Sequence, residues 1–423
     1  MMMLKLAIRN IFRHRVRSLI TLSTMIFGCV AIIFVGGFFN DIFDKIREGY
    51  ISSRSGHIQV YRRGFIEHGK VEPYQHMIHN PDEIKAMIKK IPEVQYVSGR
   101  LNFYGLISTG DNTTSFIGEG IEPANEQGVP LEIASDLQKL MRLKQYNGRP
   151  AIVAGKTLAP EDFYDVMLGH GLAKTIGVEV GTPVVLLTST VSGATNALDV
   201  YVKGMFVTSE KEFDDVCLRV PLPMAQSLLN TQSVQALLVK LDRTQDTTRI
   251  YESLKKMIAS SNLDLELRRW EELADNYEKT VELFNMFYLI LKIVIGIVVV
   301  LGIFNTMNMA VMERFSEIGT IMALGTRRSG VMKLFLIEGL VLGFIGGAVG
   351  VVAGAFILSI ISYIGIRMPP PPGGTFDWLA TPLIVPSILV STFFLSIAIG
   401  GISSLYPAYK ASRLQIIEAL RYR

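Results

Sequence analysis

Few residues in this sequence stand where chemistry would need them. Gly155, Lys156 and Thr157 are together as they would be at the end of a phosphate-binding loop, where backbone amides and a lysine cradle a nucleotide. That loop also needs a glycine five residues before Gly155, and Pro150 stands there, so a phosphate loop is excluded. Four of the six histidines, His57, His68, His76 and His79, fall in one short segment, and His76-x-x-His79 has the spacing of two metal ligands. No cysteine is near them, and the segment reads as a solvated loop, not a metal centre. No nucleophile elbow and no zinc-protease helix is present. The chain is expected to hold no catalytic, metal or cofactor site of its own, and not to be an enzyme.

One stretch remains, residues 311–338, VMERFSEIGTIMALGTRRSGVMKLFLIE. Glu313, Arg314, Glu317, Arg327, Arg328 and Lys333 keep it out of hydrocarbon, yet Ile318, Ile321, Met322 and Leu324 recur at helical spacing. Gly325 followed by Thr326 reads as a C-terminal stop. The pattern is a short amphipathic helix at a membrane face, closed by a basic turn, on which something docks.

The elements that position this helix are apolar runs. Hydrophobic residues make up 49% of the chain and charged residues 19%, with mean hydropathy +0.34, outside the usual range of a soluble protein. Residues 19–39, 293–311, 340–363 and 383–406 each meet the roughly 20 residues needed to cross a ~30 Å hydrocarbon core, and 284–291 extend the second run beyond Lys292. Lys5, Arg9, Arg13, Arg15 and Arg17 precede the first run. Arg327, Arg328 and Lys333 lie between the second and third, and Lys410, Arg413, Arg421 and Arg423 follow the fourth. The turn between the third and fourth has only Arg367 and Asp377. The positive-inside rule then puts both termini and the 313–333 loop in the cytoplasm. The first run is longer than a signal-peptide core and lacks a cleavage site, so it reads as an uncleaved anchor. The small net charge of +4, clustered at membrane ends, excludes nucleic acid as a partner.

Within the spans, Gly339, Gly343 and Gly347 form one stripe and Gly346, Gly350 and Gly354 another, each inviting close approach by a further helix, including one from a second subunit. Lys292 reads as snorkelling to the outer interface, and Glu338 as solvated or paired with Lys333 or Arg328. Cys29 and Cys217 lie in different environments, which argues against a disulfide between them.

Between the first two spans, residues 40–282 are polar and long enough for a large outer domain. Strand, helix and strand are expected at 57–61, 81–90 and 94–107, and again at 234–241, 246–259 and 263–267. Two such units imply a split α/β subdomain built from both ends of the segment. The insertion between them, 113–229, is β-rich, with strands at 151–154, 183–188 and 200–207. The charged segment 209–215 reads as an exposed loop, and 270–279 as a helix running unbroken into the second span as a stalk. Pro369 to Pro372 with Gly373 and Gly374 form a stiff turn. The expected fold is an α-helical membrane protein with four transmembrane helices plus a large α+β extracytoplasmic domain. Its segments are a cytoplasmic 1–18, spans at 19–39, 283–311 with its stalk, 333–363 and 383–406, the outer domain 40–282, the short helix within 312–332, an outer turn 364–382 and a cytoplasmic tail 407–423.

Glu317-Ile318-Gly319, Ala323-Leu324-Gly325 and Glu338, with Pro407-Ala408, Ala411 and Glu418-Ala419-Leu420-Arg421 near the end, resemble the FtsX-like/MacB-type permeases of ABC transporters. Ile416 departs from that pattern, where the family has a proline. Gly155-Lys156-Thr157-Leu158-Ala159 and Gly177-Val178-Glu179-Val180-Gly181 are similar to outer-domain segments of the lipoprotein-releasing, LolC/LolE-type members. The resemblance implies a permease of the cell inner membrane, with Glu317, Ile318, Gly319, Ala323, Leu324 and Gly325 meeting a cytosolic ABC ATPase that binds ATP and Mg. It also implies a second permease, identical or related, contact with membrane lipids, and mechanotransmission to the outer domain that frees lipoprotein cargo for a periplasmic carrier. Two alternatives stay open: MacB-like export of peptides or drugs through an adaptor and outer-membrane channel, and FtsX-like regulation of a cell-wall hydrolase. The large two-part outer domain argues against the second of these.

Overall fold

The computed structural model describes residues 9, 13, 15–69, 71–124, 151–208, 210–261, 263–369 and 378–415. Lys5, most of the proline–glycine turn (370–374), Asp377, Ile416, and the Glu418–Arg421 part of the closing motif with Arg423 lie outside the described residues.

Helix α1 spans Arg15–Tyr50, and a π-helical turn at Ile51–Ser55 prolongs it to Gly56, where φ of 62° ends it. Strand β1 (Ile58–Arg62), helix α2 (Pro81–Ile88), and strands β2 (Val94–Ser108) and β3 (Thr113–Ile121) follow. Next come β4 (Ala151–Gly155), β5 (Asp165–Gly169), α3 (His170–Ile176), β6 (Pro183–Ser189) and β7 (Thr195–Val207). Strand β8 (Cys217–Pro221), helix α4 (Leu222–Leu229), β9 (Ala236–Leu241), α5 (Thr247–Ser260) and β10 (Leu265–Arg269) complete this part. The chain continues through α6 (Asp275–Glu313), α7 (Phe315–Ala323) and α8 (Arg328–Ile364). It ends with the paired strands β11 (Ile366–Met368) and β12 (Trp378–Ala380) and with α9 (Pro386–Ser412).

Two compact units result, one formed by described residues up to 43, 280–366 and from 380 on, the other by 44–279 and 367–379. The second unit has the split α/β architecture. Strands β10, β1, β9 and β2 lie side by side, all antiparallel to their neighbours. The units β1–α2–β2 and β9–α5–β10 thus interleave, as in a ferredoxin-like sheet. Asn80-Pro81 with Asp82 and Glu83 starts α2, because proline presets the first helical φ and acids suit the positive helix end. Helix α5 buries Thr247, Ile250, Leu254 and Ile258, its stripe at helical spacing.

Strand β2 serves two sheets: Val94 to Arg100 pair with β9, and Leu101 to Ser108 pair with β3. Its second half opens a ring in which β2 pairs β3, β3 pairs β8, β8 pairs β5, β5 pairs β7, β7 pairs β6, and β6 returns to β2. The β-rich insertion is therefore a closed barrel, which removes the exposed strand edges of an open sheet. Phe103, Phe116, Leu168, Leu186, Val202 and Leu218 fill it.

Within this unit, buried polar groups hold the turn that follows α1. Glu119 of β3 meets Arg219 at 3.1 Å and Arg100 at 3.5 Å, and Arg219 Nη2 donates to the Ser53 carbonyl at 2.6 Å. Burial works to raise the Glu119 pKa, but the two guanidiniums outweigh it and hold the carboxyl below its usual range. His57, at the start of the expected strand 57–61, is buried between strands and not part of a solvated loop. The Leu241 N–H donates to its Nδ1 at 3.0 Å, so the ring proton sits on Nε2 and goes to Thr244 Oγ1 at 3.1 Å, which donates to Glu48 at 2.7 Å. His68 and His76 stack with ring centroids 5.8 Å apart, but His57 is bonded elsewhere and the His79 Nδ1 meets Ser233 at 2.8 Å, so the four histidines do not come together.

Two more expectations are corrected. The 209–215 segment is not wholly exposed: Phe213 and Asp214 are buried, and Asp214 accepts bonds from the Thr208 N–H and hydroxyl, 2.8–3.0 Å. Burial pushes the Asp214 pKa up to about 6. The 270–279 helix is not unbroken either. It stops after Trp270–Leu273 at Ala274, with φ −103° and ψ 57°, and α6 starts anew at Asp275.

The first unit holds α8, α9 and most of α1 and α6, four helices long and apolar enough to cross a membrane. Both glycine stripes of α8 are in use inside this chain. A Cβ at Gly339 would meet the Gly400 carbonyl of α9 at 2.5 Å, and one at Gly343 the Ser396 carbonyl at 2.8 Å. On the other stripe, a Cβ at Gly346, Gly350 or Gly354 would meet Met25, Cys29 or Ile33 of α1 at 2.7–2.8 Å. Neither stripe is left for a second subunit. At the far end of α1, buried Asp41 accepts from the Thr381 N–H at 2.8 Å and its hydroxyl at 3.1 Å.

His57 makes stability pH-dependent. Burial, then Lys240 and Arg47, lower its pKa to about 3, so the folded chain refuses a proton that the unfolded chain accepts near 6.5. The stability this confers is complete above about pH 6.5 and lost as pH falls toward 3, by up to about 4–5 kcal/mol. Thermal melts of the protein in detergent across this range should show a steep acid limb that flattens in His57→Gln.

Candidate functional site

The short helix α7 is cut out of the chain by two local devices. At its start, Arg314 leaves helical geometry (φ −97°, ψ 15°) and separates α7 from α6. At its end, the Thr326 N–H donates to the Ile321 carbonyl at 3.2 Å and the Gly325 N–H to Met322 at 3.0 Å, a Schellman stop. Gly325 takes φ 94° there, and no atom crowds its missing Cβ, so backbone conformation alone demands glycine.

Ion pairs fasten the helix. Arg314 Nη1 meets the Glu338 carboxylate of α8 at 3.1 Å and 3.4 Å, with both residues buried. Glu338 was expected to be solvated or paired with Lys333 or Arg328, but those two are exposed on α8 and Arg314 takes their place. Arg17 of α1 pairs with Glu313, and Arg13 with Glu317 at 3.2 Å.

The helix has two different faces. Ile318 and Met322 point inward, into a cluster with Val311 of α6, Val331 and Phe335 of α8, and Ala408 and Ala411 of α9. Gly319 is buried beside them. Glu317, Ile321, Ala323, Leu324 and Gly325 are on the open side, with Leu324 83% and Ile321 42% exposed. Of the six residues singled out by sequence, two belong to the seam and four to the surface. The small Ala408 and Ala411 of the closing motif are what lets α9 reach the underside of α7. Sequence reading missed Arg314, Val331 and Phe335. Arg314 had a signal, as a charge at the edge of an apolar run with an acid later in the next run.

The arrangement holds no acid–base pair poised on a cleft, and no group of His, Cys, Asp or Glu able to hold a metal occurs among the described residues. What it offers is a rigidly seated helix that presents apolar side chains outward between acidic and basic ends. Such a surface suits a protein partner.

Residues 18–257 match the model of a MacB-like periplasmic core domain, and residues 289–416 that of an FtsX-like permease C-terminal region. The lipoprotein-releasing system transmembrane protein LolC of Neisseria meningitidis serogroup B is 24% identical over 421 residues, 96% of this chain and 94% of that protein. The protein of the same name from Xylella fastidiosa is 27% identical over 276 residues, 61% of this chain and 65% of its own length. A macrolide export ATP-binding/permease protein MacB of Yersinia pestis is 30% identical over 209 residues, 48% of this chain and 30% of that protein.

The two faces predict opposite results for the same substitution. Ile318→Glu buries a charge in the seam and should cost about 3 kcal/mol or more, whereas Leu324→Glu should leave stability within about 0.5 kcal/mol. Melting temperatures of the two variants in detergent check this.

Proposed function

This chain belongs to the family of ABC transporter permeases that join a MacB-like periplasmic core domain to an FtsX-like membrane part, and we propose that it releases lipoproteins from the inner membrane at the expense of ATP hydrolysed by a separate cytosolic subunit. It is a multi-pass membrane protein. Arg9, Arg13, Arg15 and Arg17, then Arg327, Arg328 and Lys333, then Lys410 and Arg413 lie at ends of the spans that the positive-inside rule assigns to the cytoplasm, with α7 among them.

In this reading the exposed face of α7, with Glu317, Ala323, Leu324 and Gly325, sits in the ATPase, which binds ATP and Mg, while Ile318 and Gly319 seat the helix. A push on α7 is delivered through Arg314 to Glu338 and through the buried seam to α8 and α9. Helices α1 and α6 each run on beyond the apolar core, at about 54 Å and 58 Å for their 36 and 39 residues. They are the physical route by which movement reaches the outer domain. A second permease, identical or related, completes the transporter, and cargo acyl chains lie between the spans of the two subunits before a periplasmic carrier takes the lipoprotein.

The observation that supports this reading is similarity along nearly the whole length of LolC, whereas the match to the macrolide exporter is partial. That partial match favours, as second reading, export of a periplasmic small molecule or peptide through an adaptor.

Purification of the tagged full-length chain in mild detergent, with mass spectrometry of what it retains, tests the proposal. An ABC ATPase together with acylated proteins is expected, and Leu324→Glu should lose at least about tenfold of the retained ATPase. An ATPase with an adaptor and no acylated protein would favour the second reading. Absence of any ATPase would overturn both.

A further inference from the structure

Lys292 interrupts the apolar part of α6. Residues 293–312 contain no Asp, Glu, Lys or Arg, and at 1.5 Å per residue Lys292 is about 32 Å from Glu313, one hydrocarbon thickness. Its ammonium is 4.0 Å from the centroid of the Tyr288 ring, and no carboxylate pairs with it among the described residues. A cation at this depth, resting on a ring face and lacking an acid, calls for an anion.

Two cavities meet at this residue. One, of about 360 Å³, lies between α1, α6 and α9 and is lined by Gly36, Asn40, Asn285, Tyr288, Lys292 and Ile388. Asn40 spends one amide hydrogen on the Gly36 carbonyl at 2.9 Å, and Tyr288 donates to the Ile32 carbonyl at 3.2 Å, so the Asn40 side chain keeps donor capacity toward the cavity. The other, of about 390 Å³, runs between α6 and α9 past Leu289, Gly296, Val300, Leu395 and Ile399 and is apolar. Both share Leu289 and Lys292. Each is large enough for part of a ligand.

We propose that this double cavity binds one anionic glycerophospholipid of the surrounding bilayer, with its phosphate at Lys292, Asn40 and Asn285 and one acyl chain along Gly296 toward Leu301. A partly polar cavity beside an apolar one, with Leu289 and Lys292 lining both, is complementary to an amphiphile, and the unpaired lysine selects a negative headgroup. A second copy of this chain is a poorer occupant: through the same helix it would bring another Lys292, and residues 283–312 offer no carboxylate. The site lies within one chain and does not depend on what cargo the transporter carries.

The test is native mass spectrometry of the full-length protein in mild detergent with added phosphatidylglycerol or phosphatidylcholine. The wild type should retain one phosphatidylglycerol about tenfold better than phosphatidylcholine. Lys292→Gln should remove that preference, and Lys292→Arg should keep it. Gly296→Leu fills the slot, and since the nearest atom to a Cβ there is Ile399 at 3.9 Å, it should fold and lose both lipids. Equal retention of the two lipids by wild type, unchanged phosphatidylglycerol in Lys292→Gln and Gly296→Leu, or displacement by inorganic phosphate at the same concentration would overturn the proposal. So would a Gly296→Leu protein that keeps its lipid but loses self-association, which would assign the groove to a second copy.

Discussion

The Arg314–Glu338 ion pair is the contact on which the membrane end of this protein depends. Two charges taken out of water are costly, and removing one partner of such a pair alone typically costs about 3–5 kcal/mol because the other is left buried and unpaired. The pair therefore allows one arrangement: Arg314 must sit against α8, so α6 must end there and α7 must start there. Once α7 is placed, Ile318 and Met322 close the seam with Phe335 and Ala408. Helix α8 is itself pinned from both sides by backbone-close contacts at its glycines, to α9 on one stripe and α1 on the other. The short helix is thus tied to α8 and α9 through the buried seam, and α8 in turn packs closely on α1.

Polar contacts of another kind hold the far end of α1. Glu48 receives the Thr244 hydroxyl, which receives the His57 proton, and the Ser53 carbonyl receives Arg219. The same helix carries Arg17, paired with Glu313 beside the short helix. One continuous element thus has charged attachments near both ends and an apolar middle.

Much of this was legible in the sequence because the signals are local. Apolar runs of span length, the Asn80-Pro81 helix start, and the Gly325 stop each depend on residues within a few positions. The split subdomain was legible because both its halves repeat strand, helix and strand. The barrel was not, since its closure rests on parallel pairing of β3 with β8 and of β5 with β7, and on β2 serving two sheets. The burial of His57 and Asp214 was hidden for the same reason: each is covered by chain far away or bonded by a partner that composition does not reveal. Within α7, periodicity named four apolar residues but could not tell that Ile318 and Met322 face the seam while Ile321 and Leu324 face out. That depends on Arg314 fixing the rotation of the helix.

The central claim is that the outward face of α7 is received by an ATPase. A photo-crosslinking amino acid placed at Leu324 in cells, followed by mass spectrometry of the adduct, tests it most directly. The account predicts an adduct with a nucleotide-hydrolysing ABC subunit from position 324, and adducts only within this chain from position 318. An ATPase adduct from position 318 and none from 324, or lipid adducts alone from 324, would contradict it.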